Sequence, residues 1–555
     1  KYGLEFSASK EEENFSDLTK NFRSHINPEK VRRTIPGHWK ALTDNWRARW
    51  HQAGVDQYSS VRSIGLDEPY KLLTMTHASS GAIEGALNYG VPFLDNDGAI
   101  DLKENTLGTG LFTRFEKLGQ NLPIFLEWVA ANRAKYLVSV GKETGLGTIE
   151  EINSAIKDFS KGREKLFNQA LKDLNEFRDA FLQIGLKSGY LSQKAHDSWT
   201  KDEGYAFYLP FYRLLEDETS TSGPMSASSI IDQPEVKKYR GSHLPVKDLF
   251  SNMLQNFNFL AEASLKNQAG LKTLEQGEKI GVTRKVDRKT KDSVFVRKNG
   301  KQVHYEVDEP LVLQALQALN WSGWSNPAMS TLRKFKRWLT IGVTASPAFR
   351  IRNLIRDSIH SIAVSKIKYN PIGNVFQGGK GFSFKGRKMS ELRAKMAFGG
   401  GQIHFGHIYG GDPNATKMLL DRNIDLNTVM KSDGWSKGSR RFFKSKLGKG
   451  LDWWQEIGNT AENVNRAALY QQLRDKGISH FEASYQARDL LNFSRHGAHP
   501  FVRFLTQSVP FLNARIQGLD KMGRAWNKEQ RAQLLTTLGV YSLASIGLYL
   551  MFKDD

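Results

Sequence analysis

Thr148-Ile149-Glu150-Glu151-Ile152-Asn153-Ser154-Ala155-Ile156-Lys157-Asp158-Phe159-Ser160 opens the stretch on which the fold class turns. Thr148 and Glu151 stand at the capping-box spacing, in which each side chain bonds the other's backbone N–H at the start of a helix. Behind them Ile149, Ile152, Ile156, Phe159, Leu166, Ala170, Leu174, Phe177, Phe181 and Ile184 recur at intervals of three, four and seven, the period of one helix face. The pattern predicts a long amphipathic helix to about Ile184, turned toward a bundle or an oligomer partner. Gly162 weakens its middle and marks the place for a kink or break.

Reading outward toward the C-terminus, Tyr205-Ala206-Phe207-Tyr208 is short and aromatic, and Glu216 to Pro234 is a Ser/Thr-rich linker. Val236 to Gly277 returns to helix. Val294 to Val307 then alternates around Asn299-Gly300, the dipeptide best suited to a two-residue hairpin turn. Toward the N-terminus, Pro92, Asn96, Asp97 and Gly98 read as a loop, and Asp67 to Gly90, rich in small residues, suits two tightly packed helices. Trp39, Trp46 and Trp50 fall at helical spacing beside Arg47 and Arg49. We read them as a packed helix face, with stacking on nucleic-acid bases as the alternative. Lys1 to Pro28 is a polar arm, and a start at Lys1 without an apolar leader leads us to expect further sequence upstream.

The expected fold is therefore mainly α: an elongated multi-helix assembly with one small β-hairpin and a C-terminal helix apolar enough to be a transmembrane candidate. We divide it into an N-terminal helical region (1–215), a linker, helix and hairpin region (216–330), a basic glycine-rich region (331–450) and a C-terminal helical region (451–555).

Composition narrows the chemistry. The 555 residues include no Cys, which removes disulfides, thiolate metal sites and thiol catalysis together. Lys and Arg number 79 against 58 Asp and Glu, a formal charge of +21. The excess is concentrated, since residues 331–450 carry 24 Lys and Arg against 6 Asp and Glu. Such a segment attracts nucleic acid or anionic lipid, with simple solubilisation as the plainer reading. Its candidate phosphate contacts are Arg350, Arg352, Arg356, Lys366, Lys368, Arg440, Arg441, Lys444 and Lys446. The paired glycines there, Gly378-Gly379, Gly399-Gly400-Gly401 and Gly410-Gly411, suggest mobile loops. None belongs to a phosphate-cradling GxxxxGK[ST] or to a GxGxxG after a strand, so no nucleotide cofactor is expected.

Enzyme readings find little to stand on. Gly434-Trp435-Ser436-Lys437-Gly438 has the GxSxG spacing but no strand reading before it, which a nucleophile elbow requires. His404 and His407, with Asp412 nearby, are the nearest approach to a metal-ligand set, and no HExxH occurs. We expect no catalytic residues, no metal and no cofactor in this chain, with any catalytic domain lying upstream.

Leu534 to Phe552 is an uncharged run of 19 residues, about 28 Å as a helix and close to the thickness of a bilayer core. Its membrane-facing candidates are Leu534, Leu538, Tyr541, Leu543, Ile546, Leu548, Tyr549, Leu550 and Phe552. Gly539, Ala544 and Gly547 are small enough for close helix contacts. A buried C-terminal helix is the competing reading.

Three blocks, Ser346-Pro347-Ala348-Phe349-Arg350-Ile351-Arg352-Asn353-Leu354-Ile355-Arg356-Asp357, Asn492-Phe493-Ser494-Arg495-His496-Gly497 and Pro510-Phe511-Leu512-Asn513-Ala514-Arg515-Ile516-Gln517-Gly518, resemble a domain of the large polyvalent proteins of bacteriophages. The domain occurs near the C-termini of internal virion, or ejection, proteins. Pro69-Tyr70-Lys71-Leu72 and Gly81 to Gly90 are similar to its N-terminal part. The resemblance implies a non-enzymatic protein packaged in the virion interior and delivered through the host periplasm to the inner membrane. Its implied partners are copies of itself, other phage ejection proteins, double-stranded DNA and the host inner membrane. A DNA-binding core protein without a membrane role is the alternative, as is a non-catalytic piece of a larger peptidoglycan-degrading ejection protein.

Overall fold

The computed structural model describes residues 46–142, 144, 147–208, 249–288, 290, 292–320, 357–361, 363–365, 373, 391–402, 463–490, 492, 494–509, 511–526 and 531–552. These residues are mainly helical, with small antiparallel sheets.

The N-terminal helices are α1 (Trp46–Gly54), α2 (Ser59–Ser63), α3 (Asp67–Met75) and α4 (Ser79–Asn88). The segment expected to be a loop between Gly90 and Gly110 instead holds a second hairpin, β1 (Pro92–Leu94) paired with β2 (Ile100–Leu102). Asn96-Asp97-Gly98 is its turn, and the Asp95 side chain accepts the Ala99 N–H at 2.8 Å to close it. Three-residue strands are too short to show an alternating pattern, which is why sequence reading passes over them. After α5 (Leu111–Phe115) and α6 (Leu122–Ser139), the Thr148 capping box forms with both reciprocal bonds. The long stripe is two helices, α7 (Ile149–Ser160) and α8 (Glu164–Lys187), broken where Gly162 takes φ +72°. α7 packs on α6, whereas α8 buries Phe167, Leu174, Phe177 and Phe181.

The longest helix among the described residues, α9 (Leu249–Lys279), packs against α3, α4, α8 and the sheet that follows it. That sheet has the order β3 (Thr283–Val286), β5 (Lys301–Val307), β4 (Ser293–Lys298). Lys298 pairs with Lys301, so Asn299-Gly300 is the two-residue turn, with φ +52° and +74°. Both values are the positive angles a type I′ turn demands.

A short helix, α10 (Pro310–Gln317), follows, and α11 (Glu391–Phe398) lies against α4 and β2. The glycines after α11, read from sequence as a mobile loop, are buried. Gly400, at φ +71°, donates to Ala397 O and leaves a site where a Cβ would sit 2.2 Å from that of Ala78. They terminate α11, and Gly81 on α4 lets the two helices approach at backbone distance, since a Cβ there would lie 2.4 Å from Ala397 O. Gly378-Gly379 and Gly410-Gly411 lie outside the described residues, as does the GxSxG stretch with His404, His407 and Asp412.

Helical residues 463–475 lead to α12 (His480–Asp489), whose cap Ser479 accepts from Glu482 N. α13 (Pro500–Ser508), α14 (Leu512–Ala525) and α15 (Arg531–Phe552) are the last of the described elements. One hydrophobic cluster runs from Tyr58 through α8, α9 and the sheet to Phe398, Phe481 and Tyr485.

Candidate functional site

Two of the blocks that carry the phage resemblance, together with the Pro69-Tyr70-Lys71-Leu72 segment, meet around one guanidinium. Arg495 is 2% exposed. Its Nη1 donates to Asp56 Oδ2 at 3.2 Å and to Tyr70 Oη at 3.0 Å, while the Tyr70 hydroxyl donates to the same Asp56 oxygen at 2.7 Å. Nε and Nη2 donate to Gln517 Oε1 at 3.2 and 2.9 Å, and Nη2 also reaches Asp520 Oδ2 at 2.9 Å. A planar fork of fixed donors is what such a cage of carboxylate, amide and hydroxyl oxygens requires, and a lysine cannot supply it.

The cage extends along α14. Arg524 bonds Asp489 with Nη1 and Nη2, at 3.0 and 3.2 Å, and Asp520 with Nε at 3.0 Å. Lys521 donates to Asp489, and His51 on α1 bonds Asp520 at 2.8 Å. The network thus sets Arg495, Lys521 and Arg524 against Asp56, Asp489 and Asp520. Charge balance is what makes its burial tolerable, since an unpaired ion in the interior costs several kcal/mol.

Electrostatics follow from that balance. Burial pushes the Asp489 carboxyl up, but Lys521, Arg524 and Arg495 outweigh it and hold the group well below the usual carboxylate range. Asp520 is likewise held low against its burial by His51, Arg524 and Arg495. Burial raises the Tyr70 phenol, with Asp56 adding to the effect. Tyr70 therefore stays a neutral donor, and both aspartates stay charged.

The loop carrying Arg495 is fixed by its backbone. Ala498 N donates to Gln52 O at 2.8 Å and His499 N to Ala53 O at 3.1 Å. These carbonyls end α1 and have no intrahelical donor, so the distant loop caps the helix. Gly497 makes the approach possible, because a Cβ there would lie 2.0 Å from Ala53 O. Arg503 donates to Gly497 O at 3.0 Å and to Gln57 Oε1 at 2.8 Å, locking the loop from behind.

Beside the network opens a cleft of about 380 Å³, lined among others by Tyr70, Lys71, Glu482, Tyr485, Asp489 and Arg524. Lys71 and Glu482 bridge it at 2.8 Å. Among the described residues no group of three His, Asp or Glu side chains is placed to hold a metal ion.

The residues singled out from sequence as phosphate contacts, Arg350, Arg352, Arg356, Lys366, Lys368, Arg440, Arg441, Lys444 and Lys446, lie outside the described residues. The membrane candidates all belong to α15, but they do not share one environment. Leu534 is 2% exposed and packs with Ala363, Val364 and Ala525, so it roots the helix on the protein and does not face lipid. Leu543 and Ile546 are 71% and 54% exposed. The side chains of Leu538, Tyr541, Leu548, Tyr549, Leu550 and Phe552 lie outside the description. Among the described residues no helix is long and apolar enough to cross a membrane. Trp46 and Trp50, expected to pack, are exposed, and the buried face of α1 is Arg49, Gln52 and Ala53.

No family model, no curated protein and no solved structure matches the chain.

Sequence reading missed the Arg495 network because most of its cross-links join residues far apart in the chain, such as Asp56 with Arg495 and His51 with Asp520. Its one local signal is the pairing of Asp520 with Arg524 at i, i+4 on α14.

Proposed function

We propose that this chain is a non-enzymatic phage internal virion protein, ejected with the genome, whose copies form part of an elongated conduit carrying double-stranded DNA across the host envelope and inner membrane. The observation that carries the proposal is the division of α15 into a rooted base, at Leu534, and an outer part that presents Leu543 and Ile546 to the surroundings. A helix so placed offers apolar surface to a bilayer while the body stays outside it. The concentrated charge of residues 331–450 supports contact with the genome through its phosphates, independent of base sequence. The Arg495 network gives two of the sequence blocks a structural role in this chain, one that needs no reaction to explain it. In this reading the protein lies in the virion interior, then passes through the periplasm to the inner membrane beside other ejection proteins.

The test is flotation with anionic liposomes, with and without residues 534–552, beside a salt-dependent shift assay on duplex DNA. The full chain is expected to float and the truncated chain to float less, while both shift DNA. Flotation unaffected by the truncation would overturn the membrane role of the C-terminal helix. A chain that shifts DNA and does not float would be a DNA-binding core protein of the virion.

A further inference from the structure

Exposed large apolar side chains collect on α1, α14 and α15. Trp46 and Trp50 are 55% and 47% exposed, Leu519 65%, and Trp526, at the end of α14, 49%. α1 and α14 touch through His51 and Asp520 at 2.8 Å, so Trp50 and Leu519 each adjoin a residue of that contact. α14 in turn packs against α15, which carries the exposed Leu543 and Ile546.

The charge on these helices has one sign at the surface. Across Trp46–Gly54, Leu512–Ala525 and Arg531–Phe552 the single acidic residue is Asp520, and it is enclosed by Arg495, Arg524 and His51. Arg47, Arg515 and Arg531 are exposed. Two of them cover tryptophans, Arg47 at 5.6 Å from the Trp46 ring centre and Arg531 at 4.9 Å from that of Trp526. Tryptophan beside arginine suits the headgroup layer, where the indole spans the polar and apolar zones and the guanidinium meets lipid phosphate. A second copy of the chain is a poor occupant, since a self-complementary contact would set these arginines against their like.

We infer that α1, α14 and α15 form one face that lies on an anionic phospholipid bilayer, with Trp46, Trp50 and Trp526 at headgroup depth and Leu519 below them. The inference rests on the membrane role proposed above and extends it from the C-terminal helix to the body of the protein. The body then docks flat, and α15 is held at the bilayer by the tryptophans as well as by its own apolar residues.

The chain has no cysteine, so single labels are unambiguous. Trp50→Cys, Leu519→Cys, Trp526→Cys, Leu543→Cys and, as a control, Val140→Cys are each labelled with an environment-sensitive dye. Each is mixed with vesicles of phosphatidylglycerol and phosphatidylethanolamine, with phosphatidylcholine vesicles, or with duplex DNA. The emission is expected to shift to the blue with the anionic vesicles at 50, 519, 526 and 543 but not at 140. Arg47→Gln combined with Arg531→Gln is expected to weaken vesicle binding on the order of thirty-fold, the loss of two cations at a charged membrane surface. A response at 543 alone would overturn the docking face and leave the C-terminal helix reading intact. No response at any position would overturn both. Equal responses to DNA and to vesicles would assign the face to polyanions in general and overturn the lipid assignment.

Discussion

Arg495 makes the sharpest prediction available at the scale of single residues. Removing its charge with Arg495→Met leaves Asp56 and Asp520 short of their neutralising partner in a buried site, and a broken buried pair costs about 3–5 kcal/mol. Arg495→Lys keeps the charge but cannot make the forked contacts to Gln517, Asp520, Asp56 and Tyr70, so it is expected to recover only part of that loss. Urea unfolding of the two variants checks both statements, and a wild-type midpoint for Arg495→Met would show that the network contributes nothing. Glu309 is the opposite case, a buried carboxylate without its full set of partners. Its Oε1 accepts from Leu311 N at 3.3 Å, whereas Oε2 has no hydrogen-bond partner. Burial raises its pKa to about 7 from 4.5, against the pull of the Leu311 N–H and Arg49. The folded state holds this proton more tightly than the unfolded chain does, so stability falls as pH rises from about 4.5 to about 7 and then levels off. Glu309→Gln is expected to remove that pH dependence and to stabilise the protein at pH 8 by on the order of 3 kcal/mol. Thermal melts of both proteins between pH 5 and about pH 8 measure it.

At the scale of elements, the hairpin and the capped helices behave as their local chemistry requires. Gly300→Val is expected to cost on the order of 1–3 kcal/mol, because a β-branched residue at φ +74° is strained whatever surrounds it. Thr148→Ala removes one half of the capping box and is expected to cost about 1 kcal/mol, small enough to leave the fold intact. Either value is read from the shift in urea midpoint. α15 is the element whose own residues do not settle its partner. Its base is fixed through Leu534 and Ala525, while Leu543 and Ile546 remain outside that contact. Leu543→Asp is therefore expected to leave the melting temperature nearly unchanged while reducing liposome flotation. A large loss of thermal stability would show instead that Leu543 is covered by the protein itself.

For the whole molecule, the decisive feature is that the Arg495 network joins residues far apart in the chain, His51 to Asp520 being 469 positions distant. Acid should open that joint before it melts the helices. Asp489 and Asp520 are held below their unfolded pKa of 3.8, so their contribution is full above that value and is lost as pH falls beneath it. The joint is expected to begin weakening below about pH 4 and to go on weakening as pH falls further, ahead of the loss of helical circular dichroism. Limited proteolysis at stepped pH checks it: cleavage in residues 491–511 is expected to accelerate first. Uniform acceleration along the chain would mean that the joint does not open separately.

What the sequence determined by itself was the set of features whose causes are local. Thr148 with Glu151, the apolar period of α8, the break at Gly162 and the Asn299-Gly300 turn each depend on residues within a few positions of one another, and each is where the pattern placed it. Local reading failed where a distant segment decides. Gly399-Gly400-Gly401 has the composition of a loose loop, yet Ala78, just before α4, comes close enough that only glycine fits at position 400. Pro92–Leu94 and Ile100–Leu102 are too short to alternate visibly, and it is pairing with each other that makes them strands. Trp46 and Trp50 have the spacing of a buried face, but the tertiary structure turns Arg49 and Gln52 inward, where Gln52 bonds Leu311 O and Gln314. The Arg495 site belongs to the same class. Composition makes Arg495 look like one more member of a basic surface; only the folded chain, by bringing Asp56, Tyr70, Gln517 and Asp520 around it, turns it into the centre of a buried, neutral cage. Charge pairing acts over a few ångströms in space and has no period along the chain, so no pattern in the sequence records it.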